Sequence, residues 1–112
     1  MTLEEVLSII DGKAVSGDVD LQMKIQMACG ADLMSDVLAF VKDQPILLTG
    51  LVNTQVVRTA DMMDINCVVF VRGKKPDPAL VELARERGMA VMSTPYTMYS
   101  ACGRLYSAGL VV

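Results

Sequence analysis

Polar and glycine residues follow three apolar segments of this sequence, and their types suit anion binding. Thr49 and Gly50 end the first segment, Arg72, Gly73 and Lys74 follow the second, and Thr94 follows the third. Turns of this kind expose backbone amides, and arginine and lysine add positive charge, so they favour a phosphate or a carboxylate. The pattern predicts a site for a small anionic ligand or nucleotide. The alternative is that the threonines, with Asn53, only cap helices and the cations are solvated.

Catalytic chemistry is restricted by the residues that the chain lacks. It contains no histidine, which excludes Ser-His-Asp and Cys-His triads and the commonest metal ligand. Gly73 and Lys74 are followed by Lys75 and Pro76, so they do not form a phosphate-binding loop ending in Gly-Lys-Ser/Thr, and no GxGxxG motif is present. We predict a protein that is not an enzyme and that holds no cofactor and no metal.

Two catalytic alternatives remain open. Asp61 and Asp64 lie three residues apart on one predicted helix, where paired carboxylates could act as acid and base. Cys67 opens an apolar segment, and burial there raises the pKa of a thiol and makes it a poor nucleophile. Cys29, Cys67 and Cys102 match no CxxC spacing, so we expect three reduced thiols.

Length and composition predict one cytoplasmic domain covering residues 1–112. The net charge is −3, and residues 72–75 form the only basic cluster, which argues against a nucleic acid partner. The chain is 53% hydrophobic with a mean hydropathy of +0.43, yet no apolar stretch approaches the roughly 18 residues of a membrane span. The acidic start of the chain lacks the basic region of a secretory signal.

The three apolar segments at residues 46–49, 67–71 and 89–93 alternate with helical patterns. Continuous apolar strands that alternate with helices are typical of βαβ units. The middle helix, residues 78–87, shows this best, because Asp77 is placed as its N-cap and Pro78 as its first residue. We predict an α/β fold in which helices pack on a short parallel sheet, with antiparallel strands added from the N-terminal third.

The N-terminal third carries a helix followed by extended structure. Thr2 and Glu5 form a possible capping box at the start of the first helix. Residues 19–27 alternate apolar and polar side chains, which predicts a strand with one solvated face, and Gly17 with Asp18 suits a hairpin turn. A further short helix is predicted at residues 36–41, capped by Ser35 or Asp32.

The last predicted helix is capped by Thr94, begins at Pro95 and suggests a homodimer. Its apolar stripe is assigned to the sheet and consists of Met98, Ala101, Cys102 and Leu105. Tyr99, Gly103 and Tyr106 lie on a neighbouring face, where tyrosine suits an interface and glycine lets a second helix approach closely. The alternative is that both tyrosines cover the edge of their own sheet and Gly103 only bends the helix.

Several of these segments together resemble the DRTGG domain. The resemblance rests on Thr49-Gly50 after a strand, on the run from Val69 to Asp77 that enters a helix, and on Ser93-Thr94-Pro95. It covers nearly the whole chain. Within the family pattern, Asp36, Thr49-Gly50 and Gly73 are the matching residues, and Arg58 corresponds less closely.

The resemblance implies a fold similar to the N-terminal domain of HPr kinase/phosphorylase, without its kinase domain. It also implies a regulatory part of the kind found beside CBS domains and in some phosphotransacetylases. We therefore predict a non-catalytic regulatory module that binds a small anionic metabolite or adenine nucleotide. The alternative is a ligand-free interaction module that docks to a partner enzyme. The candidate ligand-binding residues are Asp36, Thr49, Gly50, Asn53, Arg58, Arg72, Gly73, Lys74 and Thr94.

Overall fold

Helices and strands alternate along most of the chain, of which the computed structural model describes residues 1–16, 19–41 and 45–111. In chain order the elements are α1 (Leu3–Ile9), β1 (Lys13–Ala14), β2 (Ala28–Gly30), α2 (Met34–Phe40), β3 (Ile46–Thr49), α3 (Thr54–Met62), β4 (Cys67–Phe70), α4 (Pro78–Glu86), β5 (Ala90–Ser93) and α5 (Met98–Ser107).

The strands form one sheet in the order β1-β5-β4-β3-β2. β2, β3, β4 and β5 run parallel, and β1 pairs antiparallel with β5 at one edge. This confirms the predicted fold class, a parallel sheet of βαβ units with an antiparallel addition from the N-terminal third. The parallel part includes β2, which the sequence pattern did not predict.

Helices cover both faces of the sheet, which explains why the central strands are almost entirely apolar. Leu48 and Val69 point into a core shared with α1 and α5, whereas Leu47 and Val68 point into a core shared with α2, α3 and α4. All residues of β3 and β4 are buried. Alternating side chains therefore need apolar partners on both sides, as expected for a parallel sheet between helical layers.

The predicted helix caps of α1 and α4 are confirmed. Thr2 and Glu5 form a reciprocal capping box, and Asp77 accepts a hydrogen bond from the Leu80 N–H at 2.9 Å. Pro78 is the first residue of α4, where its missing N–H has no helical partner to lose. Gly88 follows α4 with a φ of +67°, the left-handed conformation that glycine adopts without strain.

The strand predicted at residues 19–27 is wrong. Asp20 folds this segment into a turn, since its carboxylate and its carbonyl oxygen accept hydrogen bonds from Gln22 N–H and Met23 N–H. The segment then runs along the start of α1 and forms only an isolated bridge between Thr2 and Lys24. The alternation arises because Val19, Met23 and Ile25 pack on the α1 side of the core. The predicted turn at Gly17 and Asp18 lies outside the described residues.

Two predicted helix starts are also wrong. α2 begins at Met34, earlier than predicted, and its N-cap Leu33 makes no side-chain cap, so neither Ser35 nor Asp32 caps it. α5 is capped by Thr97, whose hydroxyl accepts a hydrogen bond from Ser100 N–H. Thr94 is turned inward instead, because its hydroxyl donates to the carbonyl oxygen of Ile10 at 2.6 Å.

Candidate functional site at the carboxyl edge of the sheet

The carboxyl ends of β3, β4 and β5 lie side by side. Thr49 is in register with Phe70, and Phe70 is in register with Ser93. The residues that follow these strands therefore meet along one border of the sheet, as predicted. We call this border, residues 49–53, 72–75 and 93–95, the carboxyl edge.

A carboxylate fixes the turn that follows β3. Asp32 Oδ1 accepts a hydrogen bond from Gly50 N–H at 2.6 Å and another from the Thr49 hydroxyl at 3.2 Å. Thr49 is fully buried, and its hydroxyl oxygen accepts a hydrogen bond from Leu51 N–H at 3.1 Å. The Thr49 side chain therefore positions the turn, and Asp32 occupies the amide of Gly50.

Two cations approach the same turn from the end of β4. Lys74 Nζ donates to the carbonyl oxygen of Gly50 at 2.5 Å. A Cβ placed on Gly50 would lie 3.4 Å from Arg72 Nη2 and 3.4 Å from Asp32 Oδ1. Because glycine has no side chain, both charged groups can approach the backbone at this position. We call Asp32, Gly50, Arg72 and Lys74 the Gly50 cluster, which carries one carboxylate and two cations.

The turn after β4 has an unusual backbone. Arg72 and Gly73 both have positive φ values, +61° and +66°. Arg72 N–H donates to Tyr96 O at 2.7 Å and Gly73 N–H donates to Thr94 O at 2.8 Å, so both residues are anchored to the loop before α5. A left-handed conformation costs a residue other than glycine about 1–2 kcal/mol. Such strain is common at binding sites, where the surrounding structure holds it in place.

A small pocket lies on the opposite side of this turn. Its volume is about 250 Å³, and it is lined by Asp11, Lys13, Gly73, Lys75, Ser93, Thr94 and Pro95. Thr94 contributes to its wall but is only 1% exposed, and its hydroxyl is occupied by Ile10 O and Tyr96 N–H. The carboxyl edge therefore has two sides, the Gly50 cluster and this pocket, separated by the turn at residues 72–75.

Comparison with known families identifies the fold. The sequence model of the DRTGG domain matches residues 5–108. The chain belongs to the DRTGG domain family. No curated protein matches it significantly.

A solved structure shares the fold of this DRTGG domain. It contains the CBS and DRTGG domains of the regulatory region of Clostridium perfringens pyrophosphatase, complexed with the activator diadenosine tetraphosphate. The TM-score is 0.71 at 16% sequence identity, and the match covers 93% of this chain. The chain spans 45% of the length of that structure, so the likeness concerns the fold of one of its parts.

Three predicted ligand-binding residues of this DRTGG domain belong neither to the Gly50 cluster nor to the pocket wall. Asp36 is exposed in the first turn of α2, and Arg58 is exposed within α3. Asn53 belongs to the carboxyl edge, but its side chain caps α3 by accepting a hydrogen bond from Val56 N–H at 3.2 Å. The acidic side chain that meets Thr49 is Asp32, which the sequence reasoning missed. The available signal was its position directly after β2, which the misleading alternation of residues 19–27 concealed.

The cysteines and paired carboxylates show no catalytic arrangement in the described residues. Burial raises the pKa of the Cys67 thiol to about 12, and it also raises the pKa values of the half-buried thiols of Cys29 and Cys102. Asp61 is held in an ion pair with Arg87 at 2.6 Å. Within residues 1–16, 19–41 and 45–111, no cluster of His, Cys, Asp or Glu could hold a metal, and no helix is long and apolar enough to cross a membrane.

The outer face of α5 in this DRTGG domain exposes the predicted interface residues. Tyr99 is 91% exposed and Tyr106 is 64% exposed. A Cβ on Gly103 would meet no atom within 4 Å. Gly103 and Tyr99 line an open groove of about 640 Å³ between α5 and Ile9 of α1. Tyr106 borders a separate pocket of about 200 Å³ beside β2. Tyr106 therefore lies near the edge strand β2, as the alternative interpretation expects, whereas Tyr99 lies on the groove; the interface itself stays a prediction.

Proposed function

We propose that this DRTGG domain is a non-catalytic regulatory module that binds a small anionic metabolite, such as an adenine nucleotide, at the carboxyl edge. The observation that carries the proposal is the placement of Arg72. Its side chain is exposed beside Gly50, while its backbone is fixed by the hydrogen bond to Tyr96 O. A guanidinium held in this way can donate two parallel hydrogen bonds to a phosphate.

The surrounding charges favour an anion at this position. In the part of the chain that the structure describes, no carboxylate lies within ion-pair distance of Arg72. Asp32 directs one oxygen to Gly50 N–H and the Thr49 hydroxyl, so those hydrogen bonds hold it in place. Although the whole chain has a net charge of −3, the Gly50 cluster carries two cations and one carboxylate, and such a local excess of positive charge attracts anions.

The choice of nucleotides as the first ligands to test comes from the related regulatory region. That protein is complexed with diadenosine tetraphosphate, an activator, and combines CBS with DRTGG domains. By analogy, this chain would act on a partner enzyme. Its cytoplasmic location stays a prediction from the sequence.

A ligand at Arg72 would be linked to α5 by a short path. The backbone of Arg72 is bonded to Tyr96 in the loop before α5, and the guanidinium of Arg104 on α5 lies 4.2 Å from the centre of the Tyr96 ring. A ligand that orders the turn at residues 72–75 would therefore also favour one conformation of the loop before α5. In this proposal, the outer face of α5 is the surface that responds.

Thermal unfolding with AMP, ATP and diadenosine tetraphosphate tests the proposal. A ligand that binds only the folded state stabilises it by about 2.7 kcal/mol at a hundredfold excess over Kd. We expect at least one of these nucleotides to raise Tm, and we expect Arg72→Ala to abolish the rise. Alanine retains a Cβ at a left-handed position, so the backbone strain is kept.

Arg58→Ala is the matched control, because it removes one exposed positive charge from α3. It should respond to nucleotide like the wild-type protein. The proposal fails if none of the nucleotides raises Tm, or if the two variants respond alike.

The alternative function is a ligand-free interaction module that docks through α5. It is favoured by the exposure of Tyr99 and Tyr106 beside the open position at Gly103. The partner in that alternative is an enzyme; independently of it, we propose that the same face of α5 pairs with a second copy of the chain. The exposed Tyr99 and the groove at Gly103 lie on one helix. A two-fold contact uses the same surface of both copies, so it would bring the Tyr99 and Gly103 faces of two α5 helices together.

A further inference from the structure

The turn at residues 72–75 sends its lysines to opposite sides of the carboxyl edge. Lys74 reaches the carbonyl oxygen of Gly50 on the β3 side. Lys75 instead lines the 250 Å³ pocket on the side of β5 and β1. The basic sequence at this turn is therefore divided between two environments, and only one of them belongs to the Gly50 cluster.

A second lysine reaches this pocket from a distant part of the sequence. Lys13 is the first residue of β1, and the antiparallel pairing of β1 with β5 sets it opposite Ser93. Lys13 thereby joins Lys75, Ser93 and Gly73 in the pocket wall. The two lysines are 62 positions apart, so only the pairing of β1 brings them together.

The side-chain donors around this pocket remain available to a ligand. Among the described residues, the ammonium groups of Lys13 and Lys75 make no hydrogen bond and no ion pair. Lys74 differs from them, because its ammonium group donates to the backbone oxygen of Gly50. Among the described residues that line the pocket, Asp11 is the only acidic one, so the side chains of these residues carry a net charge of +1. Gly73 N–H is already bonded to Thr94 O, which leaves the lysines and the Ser93 hydroxyl as donors.

The size of the pocket restricts the ligand. Pockets that hold a whole drug-sized molecule occupy roughly 300–1,000 Å³, and this pocket is smaller, at about 250 Å³. It suits one or two phosphate groups better than a complete nucleotide. An ammonium group binds a phosphate as a point charge, without the planar geometry that a guanidinium requires.

We propose that the pocket between Lys13 and Lys75 is a phosphate site, which binds the phosphate groups of the regulatory ligand or a free pyrophosphate. The proposal rests on the function proposed above in one respect, since it assigns the phosphates of that ligand to a defined position. Arg72 then contacts the ligand from the other side of the turn. A nucleotide would cross the turn, with its nucleoside outside the pocket.

Isothermal titration at constant ionic strength, with pyrophosphate, ATP and adenosine as separate probes, tests this site. We expect both pyrophosphate and ATP to bind the wild-type chain. Lys13→Ala combined with Lys75→Ala should weaken both at least tenfold. Lys24→Ala combined with Arg85→Ala removes two exposed positive charges elsewhere, and this control should stay within twofold of wild type. Adenosine carries no phosphate, so its binding should not depend on the two lysines.

The variants separate the phosphate site from the proposed function. If Arg72→Ala weakens ATP binding while the Lys13/Lys75 double variant matches the control, the phosphate site is wrong and the proposed function stands. If pyrophosphate binds through the two lysines but no nucleotide binds, the phosphate site stands and the nucleotide proposal fails. Failure of pyrophosphate and ATP to bind the folded wild-type chain at millimolar concentration contradicts both. Unfolding midpoints in urea establish that each variant is folded.

Discussion

Replacing Asp32 by alanine should destabilise the domain measurably, although the residue lies at the surface. The carboxylate accepts hydrogen bonds from Gly50 N–H at 2.6 Å and from the Thr49 hydroxyl at 3.2 Å. A hydrogen bond to a charged group contributes about 1.5–3 kcal/mol, and a buried donor left without a partner costs about 1–3 kcal/mol. Asp32 is exposed, so water can replace part of its hydrogen bonding to Gly50 N–H. Thr49 is 0% exposed, so its hydroxyl would lose a partner that water does not replace. We therefore expect a loss of about 2 kcal/mol.

Asp36→Ala is the matched control, because Asp36 is an exposed aspartate a few residues away in the first turn of α2. Its only expected contribution is the interaction with the helix dipole, about 0.5 kcal/mol. Asp32→Asn should retain part of the stability, since the amide oxygen can still accept one of the hydrogen bonds. Urea denaturation followed by circular dichroism measures all three variants, with unchanged m values as the condition for comparing midpoints.

The two alanine variants distinguish the site that the structure shows from the one that the sequence pattern indicated. A loss below about 0.5 kcal/mol for Asp32→Ala lies within the range of ordinary surface substitutions. That result would refute the claim that this carboxylate holds the turn. An equal or larger loss for Asp36→Ala would show that the sequence pattern had identified the important aspartate.

Three further predictions concern the core, the thiols and the surface of α5. Truncating Leu48, Val69 or Val91 to alanine should cost about 1–4 kcal/mol in urea denaturation, since all three are fully buried; near-zero losses at two of them would contradict the sheet. In the folded domain at pH 8, Cys67 should resist a thiol reagent until urea unfolds the chain. Burial raises its pKa to about 12, above the ordinary thiol value of 9.0, so its contribution to stability should decline as the pH rises from 9.0 towards 12; labelling of folded Cys67 at the rate of a free thiol would refute its burial. Sedimentation should show a dimer at high micromolar concentration that Gly103→Leu dissociates and the control Ala79→Leu on α4 does not; a monomeric wild type would exclude it.

The sequence predicts the central parallel strands well, because the residues of each strand themselves determine its structure. Residues 46–48, 67–70 and 90–92 are apolar throughout, and a strand of that kind must be covered on both faces. The caps at Thr2 and Asp77 are predicted for the same reason, since each cap depends on residues within one helical turn.

The predictions fail where a short element or a distant contact decides the structure. An alternating pattern at residues 19–27 favours a strand, but the Asp20 turn and the backbone of α1 take its hydrogen bonds. β2 has three residues, too few for a periodic signal, and Asp32 is placed by it. Lys13 reaches the carboxyl edge through pairing with a strand near the other end of the chain. Thr94 has the residue type of a helix cap, yet Ile10 O binds its hydroxyl.

The most direct test of ligand binding at the carboxyl edge is a titration of the ¹⁵N-labelled chain with ATP, followed by amide chemical shifts. We expect the largest changes at the amides of residues 49–53, 72–75, 93 and 94, with Gly50 and Gly73 among them. Changes at the start of α5 should be smaller and should depend on Arg72, because its backbone links the edge to Tyr96. Changes confined to the outer face of α5, or no change in a folded sample at millimolar ATP, would contradict the central claim.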